Sequence, residues 1–189
     1  MTSQTLSQKA LQHKAKKIKL VALDMDGTLT DGSINISAEG ELFKRFNAKD
    51  GLGVTTAVRH GLRVAVITGR KGAIVQRRAE ELGIGDDVMS GISAKKQALQ
   101  ALADKYNLSL DEIAFMGDDL NDLSALQAAG LSAAPADAAE DVKQLADFIA
   151  PHKGGKGAVR DLLELILKAR GLWAAIVEEY TEEGKGDRQ

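Results

Sequence analysis

A chain of 189 residues with 25 basic and 27 acidic side chains can bury a core as one domain and has no basic surplus for nucleic acid or an anionic membrane. It has no cysteine, which excludes disulfides, thiolate zinc sites and a cysteine nucleophile. The opening stretch "MTSQTLSQKALQHKAKK" has no apolar leader core, and no apolar run is long enough to span a bilayer. A soluble cytoplasmic protein is therefore expected, with residues 1–16 as an N-terminal arm.

Along the chain, short apolar runs of strand character alternate with segments of helical spacing. Strands are expected over residues 18–23, 64–67, 88–89, 113–116, 131–134 and 148–149. Between them, Ile74, Val75, Ala79 and Leu82 mark a helix face closed by Gly83, and Ala98, Leu99, Leu102 and Tyr106 mark the next. Leu123, Leu126 and Ala129 lead to Gly130, a natural residue to follow a helix. Val159, Leu162, Leu163, Ile166 and Leu167 form the last amphipathic face, ended at Gly171. Near-continuous apolar strands between helices predict an α/β fold, a Rossmann-like three-layer sandwich around a mainly parallel sheet. "GSINISAEGELFKRFN" (32–47) interrupts this rhythm: alternation, a turn at Ala38-Glu39-Gly40 and renewed alternation at Leu42, Lys44 and Phe46 predict a projecting β-hairpin over about 33–46. The core then spans 17–171, and 172–189 reads as a charged tail whose end, "EEYTEEGKGDRQ", is expected to fray.

Polar residues gather where the strands end. The first strand runs into Asp24 and Asp26, the second into Thr68 and Arg70, and the fourth into "GDDLND", with Asp118, Asp119, Asn121 and Asp122. In an open α/β sheet this rim is where ligands bind. The three histidines are scattered, so the donor set is carboxylate and hydroxyl, which suits a hard cation such as Mg²⁺ and the phosphate that often accompanies it. A divalent ion also relieves the repulsion between Asp24 and Asp26. One aspartate could then act as nucleophile and the other move a proton. Other motifs fail on spacing. An EF-hand loop from Asp24 would put Leu29 where glycine is needed and Asn35 where glutamate is needed. "GGKGAVR" is not a Walker loop, and "GLGVTT" lacks a third glycine.

In that order "DMDGTLT", "ITGR", a downstream lysine and "GDDLND" resemble the haloacid dehalogenase-like phosphohydrolases over residues 17–160. The resemblance implies Asp24 as nucleophile, Asp26 as acid/base, Thr68 as a hydroxyl donor to phosphate, and Lys95 or Lys96 as the phosphate lysine, with "SGISAK" favouring Lys95. It implies Asp24, Asp26 and Asp118 as metal residues for Mg²⁺, with Asp122 supporting Asp118.

The stretches from Asp26 to Thr68 and from Thr68 to Lys95 are too short for a separate cap domain. The chain is most similar to one capless branch, the 3-deoxy-D-manno-octulosonate 8-phosphate phosphatases, through "FNAKDGLG", "ITGRK" and "GGKGAVRD". That resemblance implies a phosphorylated sugar acid as substrate, a role in lipopolysaccharide precursor synthesis, and a homotetramer formed through the hairpins. It also implies a pocket of Asn47, Ala48, Lys49, Asp50, Gly51 and Thr55, with Arg70, Arg78 and Lys95 facing anions. Lys49 stands where the branch would carry arginine and lacks its bidentate fork. A related nonulosonate 9-phosphate as substrate, and a non-catalytic assembly or regulatory module of the same fold, remain the alternatives.

Overall fold

The computed structural model describes residues 7–182. Six parallel strands form its sheet: β1 (Leu20–Leu23), β4 (Arg63–Thr68), β5 (Val88–Ser90), β6 (Ile113–Met116), β7 (Leu131–Ala134) and β8 (Phe148–Ile149). Their spatial order is β5-β4-β1-β6-β7-β8. Leu20 of β1 lies opposite Arg63 on one side and Ile113 on the other. The chain thus builds outward from β1 first toward β5 and then toward β8. The carboxyl end of β1 is the point where the order reverses, the preferred crevice for ligands in such sheets.

Alternation along β1 explains the three layers. Val21 and Leu23 face one core with α1 (Gln8–Lys17), α2 (Ala48–Arg59), α3 (Ala73–Glu81) and α7 (Ala158–Ala169). Leu20 and Ala22 face the other, with α4 (Lys95–Tyr106), α5 (Leu123–Ala128) and α6 (Glu140–Leu145). A strand covered on both sides has no polar face, hence the unbroken "LVAL". All six expected strands are present, within two residues of their expected ends. Among the described residues no helix is long and apolar enough to cross a membrane.

The hairpin consists of β2 (Asn35–Ser37) and β3 (Gly40–Phe43), paired antiparallel. A register irregularity falls between Asn35 and Ile36, and a bridge from Thr30 to Phe46 ties its base to the sheet's rim. No further domain is inserted between β1 and β4 or between β4 and β5.

Some expectations need correction. Residues 8–16, read as part of an arm, form α1 together with Lys17, and its Ala15 is buried. Part of the stretch read as a tail forms α8 (Trp173–Thr181), which buries Ile176; residues 183–189 lie outside the described residues. Tyr180 is hydrogen-bonded to Thr56 at 3.0 Å and Glu179 lies beside His60, so α8 is fastened to α2. Gly83 and Gly171 do end helices with positive φ, at 73° and 75°. Gly130 does not take that conformation. It is bare because it lies against the Asp111 backbone, whose carbonyl oxygen a Cβ would approach to 2.4 Å.

Candidate active site

Where β1 ends, the backbone enters a wide turn over Met25–Leu29, closed by Thr30 N–H donating to the Met25 carbonyl at 3.0 Å. Gly27 makes the turn possible, with φ of 98°. A Cβ there would sit 2.0 Å from an Asp118 carboxylate oxygen, so the glycine of "DMDGT" lets the ends of β1 and β6 meet. The amide of Asp24 donates to the Met116 carbonyl at 2.9 Å, locking the first acidic residue to the strand that leads to Asp118.

Asp24 is only 5% exposed. Its carboxylate accepts from the Lys95 ammonium, which also donates to Asp122 at 2.5 Å. Lys95 is itself buried at the start of α4, whereas Lys96 points outward and is exposed. The other Asp122 oxygen accepts from the backbone amides of Asp118 (3.0 Å) and Asp119 (3.3 Å). Asp122 therefore braces the "GDD" turn and holds Lys95 at once. Asp119 caps the short turn that follows, accepting from Leu120 N–H at 2.7 Å. Thr28 donates to Asp118 at 3.2 Å.

Oxygens of Asp24, Asp118 and Asp122 all lie within 4.8 Å of one another. Three carboxylates face one ammonium, leaving two negative charges in excess when all are ionised. Burial and the neighbouring Asp122 push the Asp24 pKa up to about 6, with Lys95 opposing the rise. Burial, Asp24 and Asp122 push Asp118 up to about 7. An all-oxygen donor set with that uncompensated charge fits a hard divalent cation.

Asp26 is placed differently. Its carboxylate stands outside this group, bonded to the buried Lys44 ammonium and 3.7 Å from the Arg70 guanidinium. Asp26, which the resemblance implies as a metal residue, thus has its side chain held by Lys44 beside the hairpin and Arg70 in the loop after β4, and Asp122 is the third carboxylate of the group. Lys44 also bonds Glu41 at 2.7 Å. Burial disfavours its charge, but the bonds to Asp26 and Glu41 outweigh that and raise its pKa. Thr68 is buried at the end of β4, its hydroxyl accepting from the Arg70 amide at 3.3 Å.

The expected sugar-acid residues divide. Asn47 caps α2, its side chain accepting from the Lys49 amide at 2.9 Å, and Lys49 is exposed. Asn47, Ala48 and Arg78 line an open groove of about 580 Å³ between α2 and α3. Ala48, Gly51, Thr55 and Arg78 line an adjoining one of about 380 Å³. The Thr55 hydroxyl donates to the Leu52 carbonyl of its own helix at 3.1 Å, and Arg78 lies over the Phe46 ring. Asp50 is not part of either groove. It is buried and accepts from the Gly157 and Arg160 amides at 3.0 and 2.9 Å, which makes it the cap of α7. Burial is also the main cause of its raised pKa.

Sequence reasoning passed over three residues of this site: Thr28, Lys44 and the bridging part of Asp122. A lysine at an inward position of the hairpin's alternation was the available signal for Lys44. Gly154 and Gly155, from "GGKGAVRD", also belong to the site's frame. The Gly155 amide donates to the Thr28 carbonyl at 3.0 Å, and a Cβ on Gly154 would meet the Gly27 carbonyl oxygen at 1.7 Å.

Comparison with known proteins agrees with this geometry. Residues 84–162 match a haloacid dehalogenase-like hydrolase family model. The 3-deoxy-D-manno-octulosonate 8-phosphate phosphatase of Escherichia coli K12 is 40% identical over 158 residues, 84% of each chain. The phosphatase of that name from Moraxella catarrhalis, solved with a magnesium ion, a phosphate ion and a KDO molecule, superposes with a TM-score of 0.89. It is 40% identical and covers 92% of this chain and 99% of its own. A cobalt-bound form of the Haemophilus influenzae phosphatase superposes with a TM-score of 0.81 at 39% identity, covering 84% of this chain and 92% of its own. With the reversal-point aspartates, the bridging lysine and these relatives in agreement, the chain belongs to the haloacid dehalogenase-like hydrolases, in the capless group whose named members are 3-deoxy-D-manno-octulosonate 8-phosphate phosphatases.

Proposed function

We propose that this protein is a Mg²⁺-dependent phosphomonoesterase that hydrolyses 3-deoxy-D-manno-octulosonate 8-phosphate to the free sugar acid and phosphate, in the cytoplasm and toward lipopolysaccharide precursors. The observation that carries this reading is the buried Asp24, bridged by Lys95 to Asp122 and grouped with Asp118, in a chain similar over most of its length to phosphatases of that name.

The Asp24 carboxylate attacks phosphorus, forming the aspartyl-phosphate as the bond from phosphorus to the sugar oxygen breaks. Asp26 gives its proton to that departing oxygen, then takes one from the water that attacks phosphorus and frees Asp24. Lys95 holds the nucleophile in place and balances charge on the phosphoryl oxygens, and Thr68 offers them a hydroxyl. Asp24 and Asp118, with Asp122 beside them, would hold Mg²⁺, which supplies the positive charge that lets an anionic nucleophile meet an anionic phosphate. Arg70 and Arg78, with Asn47, Ala48, Lys49, Gly51 and Thr55, face the sugar acid, whose carboxylate suits guanidinium partners. Asp50 contributes by fixing α2 against α7. The hairpin, with Ile36 66% and Leu42 59% exposed, supports assembly of a homotetramer through paired edges.

Phosphate release measured with Mg²⁺ over a panel of phosphorylated sugar acids and simple sugar phosphates tests the reading. The octulosonate 8-phosphate should be turned over fastest. A faster nonulosonate 9-phosphate would reassign the substrate, equal rates on simple sugar phosphates would refute both, and no release from any ester would leave a non-catalytic module.

A further inference from the structure

Lys44 follows directly on the hairpin strand β3, whose Leu42 and Phe43 are largely exposed, yet its own side chain is only 2% exposed. A lysine is costly to bury without partners, and this one has two, Asp26 and Glu41. Its bond goes to one oxygen of Asp26, Oδ1. Among the described residues the other, Oδ2, has only the longer contact with Arg70, at 3.7 Å. Glu41, which shares Lys44 with Asp26, and Arg70 also line a groove of about 510 Å³ between the hairpin and the loop after β4. Nothing in the motif resemblance gives Lys44 a role.

We infer that Lys44 is a positioning residue for the reaction: it clamps Asp26 by Oδ1 and turns Oδ2 toward the leaving oxygen, so that the hairpin sets the aim of proton transfer. This rests on the phosphomonoesterase reading above. In the first step the Asp24 oxygen bonds to phosphorus, the bond from phosphorus to the ester oxygen breaks, and the proton on Oδ2 passes to that oxygen. An alkoxide leaving group needs the proton in flight, whereas a nitrophenolate leaves without it. Misaiming Asp26 therefore penalises sugar esters selectively, while a general loss of structure penalises both kinds.

The experiment compares kcat/KM, which reports the steps through phosphoenzyme formation, for octulosonate 8-phosphate and p-nitrophenyl phosphate at saturating Mg²⁺. The variants are Lys44→Met and the double variant Glu41→Gln/Lys44→Met, which also removes the second buried charge. Thermal unfolding is recorded for each. Expected is a loss of about 100-fold on the sugar ester and less than about fivefold on the aryl ester, in either variant that folds. Equal losses on both esters would overturn the inference, as would failure of both variants to fold, since Lys44 would then be structural. A wild-type protein that hydrolyses neither ester would overturn the phosphomonoesterase reading and the inference with it.

Discussion

Asp24 and Asp26 are two residues apart and occupy opposite electrostatic settings. Around Asp24 lie two further carboxylates and a single ammonium. Asp26 and Glu41 share the Lys44 ammonium, and Arg70 lies nearby. The inner group is short of positive charge by two, and the rim is balanced. The inner group thus has charge left for a divalent cation to neutralise, whereas the rim is already neutral. An alternating strand end can serve both because each side chain finds its counter-charge on a different element: Lys95 on α4 for Asp24, the hairpin and the loop after β4 for Asp26.

The contrast is broken most severely by Asp24→Asn. Loss of the nucleophile should lower kcat by at least about 10³-fold, read as phosphate release from octulosonate 8-phosphate. Circular dichroism should show an unchanged fold. Residual turnover within tenfold of the parent would mean that Asp24 is not the attacking group.

A milder perturbation is proton concentration without metal. A carboxyl group whose folded pKa lies above its ordinary value favours the fold while protonated and opposes it once ionised. Asp24 at about 6 and Asp118 at about 7 therefore contribute stability that is complete below pH 4 and lost as pH rises through 6 and 7. In chelator the melting temperature should be lower at pH 8 than at pH 6, and Mg²⁺ should recover it at pH 8. A metal-free protein whose melting temperature does not fall over that range would contradict the excess of negative charge.

The smallest effect separates the two aspartates by sign. Without metal at pH 8, Asp24→Asn removes a repelled charge and should raise the melting temperature. Asp26→Asn takes a charged partner from Lys44 and should cost about 1–3 kcal/mol, seen in urea unfolding. Shifts in the same direction would mean that the two settings do not differ.

Much of this was legible in the sequence because local pattern and final structure coincide there. The apolar runs before Asp24, Thr68 and Asp118 are strands, and their polar ends converge as expected. Less legible were features whose partners lie far along the chain. Asp50 reads as a helix-start or pocket residue, but its carboxylate caps α7 by accepting from the amide of Gly157, 107 residues later. Helix α1, with "QKALQHKAKK", shows too few apolar positions to announce a buried face. In α8 the acidic residues mask Ile176, which is buried by tertiary packing. Asp122 was legible as support for Asp118 but not as a partner of Lys95, since nothing near either residue shows that α4 begins beside the end of β6. For Asp26 the sequence showed adjacency to Asp24, but not that the hairpin returns a lysine to its carboxylate.

Gly154 and Gly155 give the site a dependence on how far synthesis has gone. All six strands of the sheet precede residue 150, so a chain stopped there contains every strand and every acidic residue of the centre, but not α7, which covers one face of the sheet. It lacks the backbone that presses on the Gly27 carbonyl and receives the Thr28 carbonyl. A ribosome-bound or prematurely terminated chain would thus carry the catalytic groups with their turn unbraced. The brace on this turn is thus among the last segments of the chain to be made.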